Sequence, residues 1–436
     1  MGNLWFTTGP RFNALERAKA VTITGFAGGD PLFPIANLYD YRPGTIFRSN
    51  SLAGGTIVVD LQMFTNGDME GGFVSGIPTG WSAGELGGTV ADDTTHQDTG
   101  AHCVSITPNG TPTSILQANA FGWYRSNDSH QITVRAFQQN SAVANVFIRS
   151  LVTGNYWVGG AWQAARAAAL TTSAGAYVTL TATFTLETFS PFEASVGPFG
   201  AVVQVELEAT GSGAAVAYFD NVVGVPGING ASVHGHNVVP SGSIAATVET
   251  SPDNSAWTVQ SANPIVPQFP SFYWLNTLGA IIYSRYWRLN LAGTAQSAVG
   301  NPYVGEFVLG QWIQALRNPN YPIKISWKEF QERPPGFTGA QWVYARAQSA
   351  IRIITWGVYS ARGAWPSAQF KQFRDELFRR SRSGLYAAVV IPQDTDVELC
   401  VFGRLPDQSD FANTYLNVTD LASMSLIEDA LPSVVS

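Results

Sequence analysis

Residues 177–186 read YVTLTATFTL, and this alternation constrains the fold more than any other stretch of the chain. Successive side chains of an extended backbone point to opposite faces. Val178, Leu180, Ala182, Phe184 and Leu186 therefore share one face, while the other is mostly threonine. That is the signature of an antiparallel strand with one side in a core. Similar runs recur as TIVVDL (56–61), HQITVRAF (130–137), AVVQVELEA (201–209), AATVETS (245–251) and YWRLNL (286–291). Gly, Asn, Asp and Pro punctuate them at intervals of roughly 8–12 residues, a spacing that favours sandwiches or barrels. One helix is expected over 366–382. Pro366 and Ser367 start it, Phe370, Phe373 and Leu377 form its apolar stripe, and Arg379, Arg380 and Arg382 complement its C-terminal dipole before Gly384. The Ala-rich segment 161–170 reads either as a second helix or as a loop crossing.

A chain of 436 residues has room for about two to four domains. Charged residues are only 13% and aromatics reach 12%, with 13 Trp, which suits turn-joined β domains that bury surface against neighbours. A net charge of −7 argues against a nucleic-acid partner, which calls for a basic face. Cys103 and Cys400 lie in strand-like HCVSI and ELCVF and read as buried thiols, because two distant cysteines make neither a disulfide framework nor a metal site. The start MGNLWFTTGPRF lacks the pattern of a signal peptide, and Phe6 breaks the myristoylation motif. With no run of about 18 apolar residues either, assembly in a cytoplasm without membrane insertion is expected.

Five short pieces occur in a telling order. They are NLYDYRPGT leading to VVDL (37–61), the HGHN turn at 234–237, TSPDNSAW (250–257), YSRYWRLNL (283–291) and YVGEFVLG (303–310). Together they resemble the discoidin-like, galactose-binding-like jelly roll. About 170 residues separate Leu61 from Gly235, far more than that pattern has. An insertion of this length is tolerable when its own ends lie close together. The expected host sandwich therefore comprises 37–61 and 228–311, with 62–227 inserted as a guest.

The guest opens with TNGDMEGG and GIPTGW and closes with VAYFDNVVGVPG (216–227). These ends resemble carbohydrate-binding β-sandwiches of the family 4/9/22 type. The resemblance implies carboxylates at Asp68, Glu70 and Asp220 where relatives often hold a structural Ca²⁺, with turn capping as the competing role. No cofactor is required. It also implies a sugar-binding face, for which Trp123, Tyr124 and Arg125 (GWYRSND) and Trp157 and Trp162 (NYWVGGAW) are the candidates. Core packing is the competing role for each, and Trp81 reads as core.

From 312 to 436 the strands lengthen, and CVFGRL (400–405) and ASMSLIED (422–429) resemble long-tailed phage tail-tip and baseplate proteins of the distal-tail-protein kind. That resemblance implies a C-terminal β-barrel-like domain with one packed helix, and a homo-oligomeric ring, hexameric or trimeric, around the tail axis. Residues 1–36 would supply a strand or arm to a neighbour. The fold class expected is mainly β: nested jelly-roll sandwiches plus this domain. The function implied is a structural, non-enzymatic virion subunit. Its partners would be tail tube, hub, fibres and host-surface glycans. The alternative is a stand-alone carbohydrate-binding protein or an accessory module of a polysaccharide-degrading enzyme.

No catalytic motif appears in the sequence: there is no P-loop, GxSxG or HExxH. Glu206 and Glu208 point the same way on one strand, and nothing in the sequence distinguishes them as an acid pair. His234 and His236 could share a strand face and a metal, although the jelly-roll turn accounts for them better.

Overall fold

The structure is a computed structural model. It describes residues 5–8, 13–41, 45–52, 54–118, 128–187, 203–238, 245–261, 271–276, 279–292, 300–314, 320–332, 344–358, 386–390, 400–404 and 422–428. These are mainly β, with two short 3₁₀ turns at Ala14–Arg17 and Ile35–Tyr39. The helix expected over 366–382 lies outside the described residues. The chain separates into two compact units. One comprises 60–227 with 283–285, and the other comprises 1–59, 228–282 and 286–436.

The guest unit is a two-sheet sandwich. Its first sheet runs Ala161–Gln163, Tyr156–Val158, Val143–Ser150, Val203–Thr210, Thr113–Gln117, Ser82–Leu86, with Leu170–Thr172 also on Val143–Ser150. The segment considered as a helix at 161–170 is thus two short strands and the strap between them. Ala propensity gives way there to pairing with a buried neighbour. The second sheet runs Val178–Thr185, Ser129–Gln139, Val216–Ile228, Cys103–Thr107, Thr89–Asp93. The face read from YVTLTATFTL is the buried one: Ala182, Phe184 and Leu186 lie in the core and Leu180 packs at its margin. Across the sandwich Val203, Val205, Leu207 and Ala209 are fully buried. Trp81 joins them, stacked on Phe64 at 5.8 Å between centroids.

The ends of the guest are laced together. Met63 N–H donates to the Gly224 carbonyl at 2.9 Å and Val222 N–H to the Gly67 carbonyl at 2.7 Å. The Gln62 side chain donates to the Val222 carbonyl and accepts from the Gly224 N–H. At the stem, Arg285 grips Asp60 with contacts of 3.0 and 3.1 Å, and its carbonyl accepts from Leu61 N–H. A long insertion therefore costs little closure entropy, because its ends are hydrogen-bonded neighbours.

In the other unit a three-stranded sheet (Ser271–Leu275, Gly230–His234, Glu306–Gly310) accompanies a five-stranded one (Ala20–Gly25, Gly55–Asp60, Tyr286–Ala292, Ala245–Ser251, Thr258–Val259). Trp287, Leu289 and Leu291 point into its interior. The His-Gly-His segment does not form a pair of ligands. Its strand ends at His234, Gly235 takes φ +62°, and the two rings diverge. His234 bonds the Ser232 and Ser271 hydroxyls, while His236 packs edge-on to Phe272.

The C-terminal strands form a seven-stranded sheet in the order Ile313–Gln314, Trp5–Thr8, Tyr386–Val390, Cys400–Arg404, Ala422–Glu428, Tyr344–Val358, Asn320–Glu332. Trp5–Thr8 belongs to the region 1–36, for which the sequence suggests an arm to a neighbouring subunit. It lies instead inside this sheet, paired on both sides with its own chain. Ala388, Val390, Cys400 and Phe402 pack against Val308 and Trp312, which fuses this sheet to the three-stranded one. Nearby, the fully buried Glu306 accepts from Asn13 Nδ2 at 3.2 Å and from Tyr41 N–H at 3.0 Å. Burial, and then the Asp40 charge, push its carboxyl well above the ordinary range.

Candidate functional site

The outer face of the guest's first sheet carries an assembled polar and aromatic constellation. Alternation sends Val205 and Leu207 inward, so Glu206 and Glu208 project outward on the same strand. They are nevertheless 8% and 1% exposed, because neighbours close over them. Ser114 Oγ donates to Glu206 at 2.6 Å and Asn145 Nδ2 to Glu208 at 3.1 Å. From the strap between Gln163 and Leu170, Arg166 bonds Glu208, reaches Glu206 at 3.4 Å and lies 3.8 Å from Glu85. Burial opposes the Arg166 charge, but Glu208, Glu206 and Glu85 outweigh it and raise the guanidinium pKa.

Aromatic rings complete the face. The Arg166 guanidinium lies 4.1 Å above the Phe147 ring, Tyr156 meets Phe147 edge-on at 6.1 Å, and Arg149 lies 5.6 Å over Tyr156. Phe147 is a buried floor under Arg166, whereas Tyr156 is half-exposed. The face thus offers an apolar ring edge beside fixed donors and acceptors. This combination suits the C–H face and hydroxyls of a sugar.

The aromatics singled out from sequence lie elsewhere. Trp157 and Trp162 face one another across a hairpin rather than standing on an exposed loop. Trp157 is 9% exposed within the core. Trp162 packs edge-on to Phe184 and donates its Nε1–H to the Thr185 carbonyl at 2.8 Å. The hairpin's alternation turns both indoles inward, where they plug one end of the sandwich. Trp123, Tyr124 and Arg125 lie outside the described residues. Phe147, Tyr156 and Arg166 carry a sequence signal only in retrospect: NVFIRS sets an aromatic on the polar side of an alternating strand.

Two of the three carboxylates considered for calcium hold the segment 98–102. Asp220 accepts from the backbone N–H groups of Asp98 (2.9 Å) and Thr99 (3.0 Å), and Glu70 from those of Ala101 (2.8 Å) and His102 (3.0 Å). Burial is the main cause that raises the Asp220 pKa, only partly offset by those N–H groups. Asp68 is half-buried. Among the described residues, no group of three His, Cys, Asp or Glu side chains is arranged to hold a metal ion. Beneath the same segment, Cys103 is enclosed with Phe137 and Tyr218, and burial pushes its thiol up to about 12.

No family model matches this chain, and no curated protein matches it. Solved structures to which it is similar include carbohydrate-binding modules. The family 16 carbohydrate-binding module-2 is 15% identical, with a TM-score of 0.28, over 37% of this chain and 99% of that one. The xylan-binding CBM22-1 domain from Paenibacillus barcinonensis is 14% identical, with a TM-score of 0.25, over 40% and 96%. The enzymatically active domain of bacteriophage CBA120 tailspike protein 4 is 12% identical, with a TM-score of 0.27, over 38% of this chain but 21% of that one. At these scores the likenesses carry no argument about what this chain binds.

Proposed function

We propose that the protein is a non-catalytic glycan-binding subunit of a long-tailed phage tail tip or baseplate, with the guest sandwich as its glycan-holding part. The observation that carries the binding reading is the outer face built on Glu206, Glu208, Arg166 and Tyr156. Its acids are engaged by the Ser114 hydroxyl, the Asn145 amide and Arg166, an arrangement that serves recognition better than proton transfer. A sugar ring would lie on Tyr156 while its hydroxyls bond Arg149, Arg166 and Asn145. Weak contacts of this kind gain by repetition around a ring.

The virion role is supported by the resemblance of CVFGRL and ASMSLIED. The strands that carry them are neighbours, with Gly403 opposite Glu428 and Arg404 opposite Ile427. Asn320–Glu332 ends the same sheet with a ladder on one side among the described residues, an edge able to pair with another copy. Copies would assemble in the bacterial cytoplasm and join tail tube, hub and fibres. Structural Ca²⁺ is not needed for this role.

Two measurements test the parts separately. A glycan array probed with the full chain should give a set of signals that Tyr156→Ala removes or weakens; an unchanged array pattern from the variant would remove the site. Mass photometry and electron microscopy should show rings of three or six copies. A monomer at micromolar concentration would instead favour the stand-alone carbohydrate-binding protein.

A further inference from the structure

The five-stranded sheet of the host sandwich carries on its outer face a cluster that repeats the guest's chemistry on a different scaffold. Glu249 sits at its centre, 4% exposed, although alternation points it away from the core that Val248 and Ala246 enter. Thr247 Oγ1 donates to it at 2.6 Å, Asn290 Nδ2 at 3.0 Å and Arg288 Nε at 2.7 Å. The Arg288 guanidinium lies 4.2 Å over the Trp257 ring. Strand register aligns Arg288, Glu249 and Val259 in one row across three strands, and Val259 is 53% exposed. Trp257, two residues before Val259, is half-exposed.

The guest site has the same parts. There they are shared between two buried glutamates: Glu208 takes the Asn145 amide from the neighbouring strand and pairs with Arg166, whose guanidinium lies 4.1 Å above the Phe147 ring, while Glu206 takes the Ser114 hydroxyl. Neither cluster shares a residue with the other. A rigid support holds the host version. Asp253 accepts from Ser251 Oγ (3.0 Å), Ser255 N–H (2.9 Å) and Ala256 N–H (3.3 Å), so the turn leading to Trp257 has a set geometry. Burial works against the Glu249 charge, but Thr247, Asn290 and Arg288 outweigh it and lower its pKa, and Arg288 faces the carboxylate as a direct ion pair.

We propose that this outer face, built on Trp257, Arg288, Glu249 and Asn290, is a second binding face for an uncharged sugar. Charge balance selects the ligand class. A uronic acid or phosphate would meet Glu249, and an amino sugar would meet Arg288, so neither gains what a neutral hexose or pentose does. Adjacent hydroxyls match the planar fork of Arg288 and the Asn290 amide, and the C–H face of the ring covers the exposed part of the Trp257 indole.

The test titrates the full chain with cellohexaose, xylohexaose, maltohexaose and a β-1,4-galactan oligosaccharide by calorimetry, beside Trp257→Ala, Arg288→Lys and Tyr156→Ala. Circular dichroism checks that each variant is folded. With at least one probe, Trp257→Ala should weaken binding about tenfold or more, and Arg288→Lys, which keeps the charge but loses the fork, should weaken it too. Tyr156→Ala should leave this component in place. Unchanged binding in folded Trp257→Ala with every probe overturns the proposal and leaves the guest site standing. Loss through Trp257→Ala alone, with Tyr156→Ala silent, supports it and removes the guest site. No binding of any probe by the full chain overturns it as well.

Discussion

Gly67, in the opening NG of the guest, shows how one residue holds a stem. Its Cα faces the outgoing strand so closely that an added methyl would collide with the Val222 carbonyl oxygen. Both positions are backbone, so neither can rotate away. Gly67→Ala should lower guest stability by about 2–4 kcal/mol, read as a lower urea midpoint. Arg166 is the complementary case, where the side chain is exposed and what it covers is not. Arg166→Ala leaves Glu208 buried without its cation. Because the arginine is 35% exposed, the expected loss is about 1–3 kcal/mol rather than the larger figure for a wholly buried pair. Adding Glu208→Gln to Arg166→Ala should recover part of that loss, and a double variant no more stable than the single one would contradict the pairing.

At the scale of elements, the 93–102 connection is a loop held by side chains rather than by strand pairing. Asp93 accepts from Thr95 and His96 N–H groups, Asp98 pairs with Arg135 at 2.7 Å, and Asp92 pairs with His102 at 2.9 Å. The hydrogen bond to Asp92 raises the His102 pKa above its ordinary 6.5. The sign follows from linkage: the folded state binds the proton more tightly than the unfolded one. The contribution is therefore fully present below about pH 6.5 and is lost as pH rises through the folded value. Asp92→Asn should bring the His102 titration, followed by NMR, back toward 6.5 and abolish that dependence. The alternating strands were legible at this scale, since VTLTATFT and VQVELEAT need only their own period. The 161–170 strap was not, because its conformation depends on a partner strand and on Glu208 beneath it, both distant in sequence.

For the whole molecule, Glu306 marks where the N-terminal turns, the three-stranded sheet and the C-terminal sheet meet in one unit. Its carboxyl is raised by burial, so its proton is held more tightly in the folded state. Its contribution is present below the unfolded value near 4.5 and is lost as pH rises through the raised folded value. Calorimetric melting temperatures of the wild type should therefore decline across that window. Glu306→Gln should flatten the decline while starting lower, because one amide N–H₂ must face the Tyr41 or Asn13 donor. A parallel decline in both proteins would place the pH dependence elsewhere. The N-terminal strand belongs to this scale as well. FTTGPRF has nothing in its residues to say whether its partner is Val389 of its own chain or another copy.

What the sequence alone determined was the β class and the inward faces of its strands, because side-chain alternation is a local property of an extended backbone. Turn chemistry such as SPDNS follows from the same local rules. Only the tertiary structure decided that Trp157 and Trp162 fill the sandwich end. It alone decided that Asp220 and Glu70 spend their oxygens on backbone N–H groups, and that Glu206 and Glu249 become centres of assembled faces. Each of those outcomes depends on which distant strand lies alongside. A side chain's chemistry is written in one residue, but its partners are chosen by the packing of the whole unit.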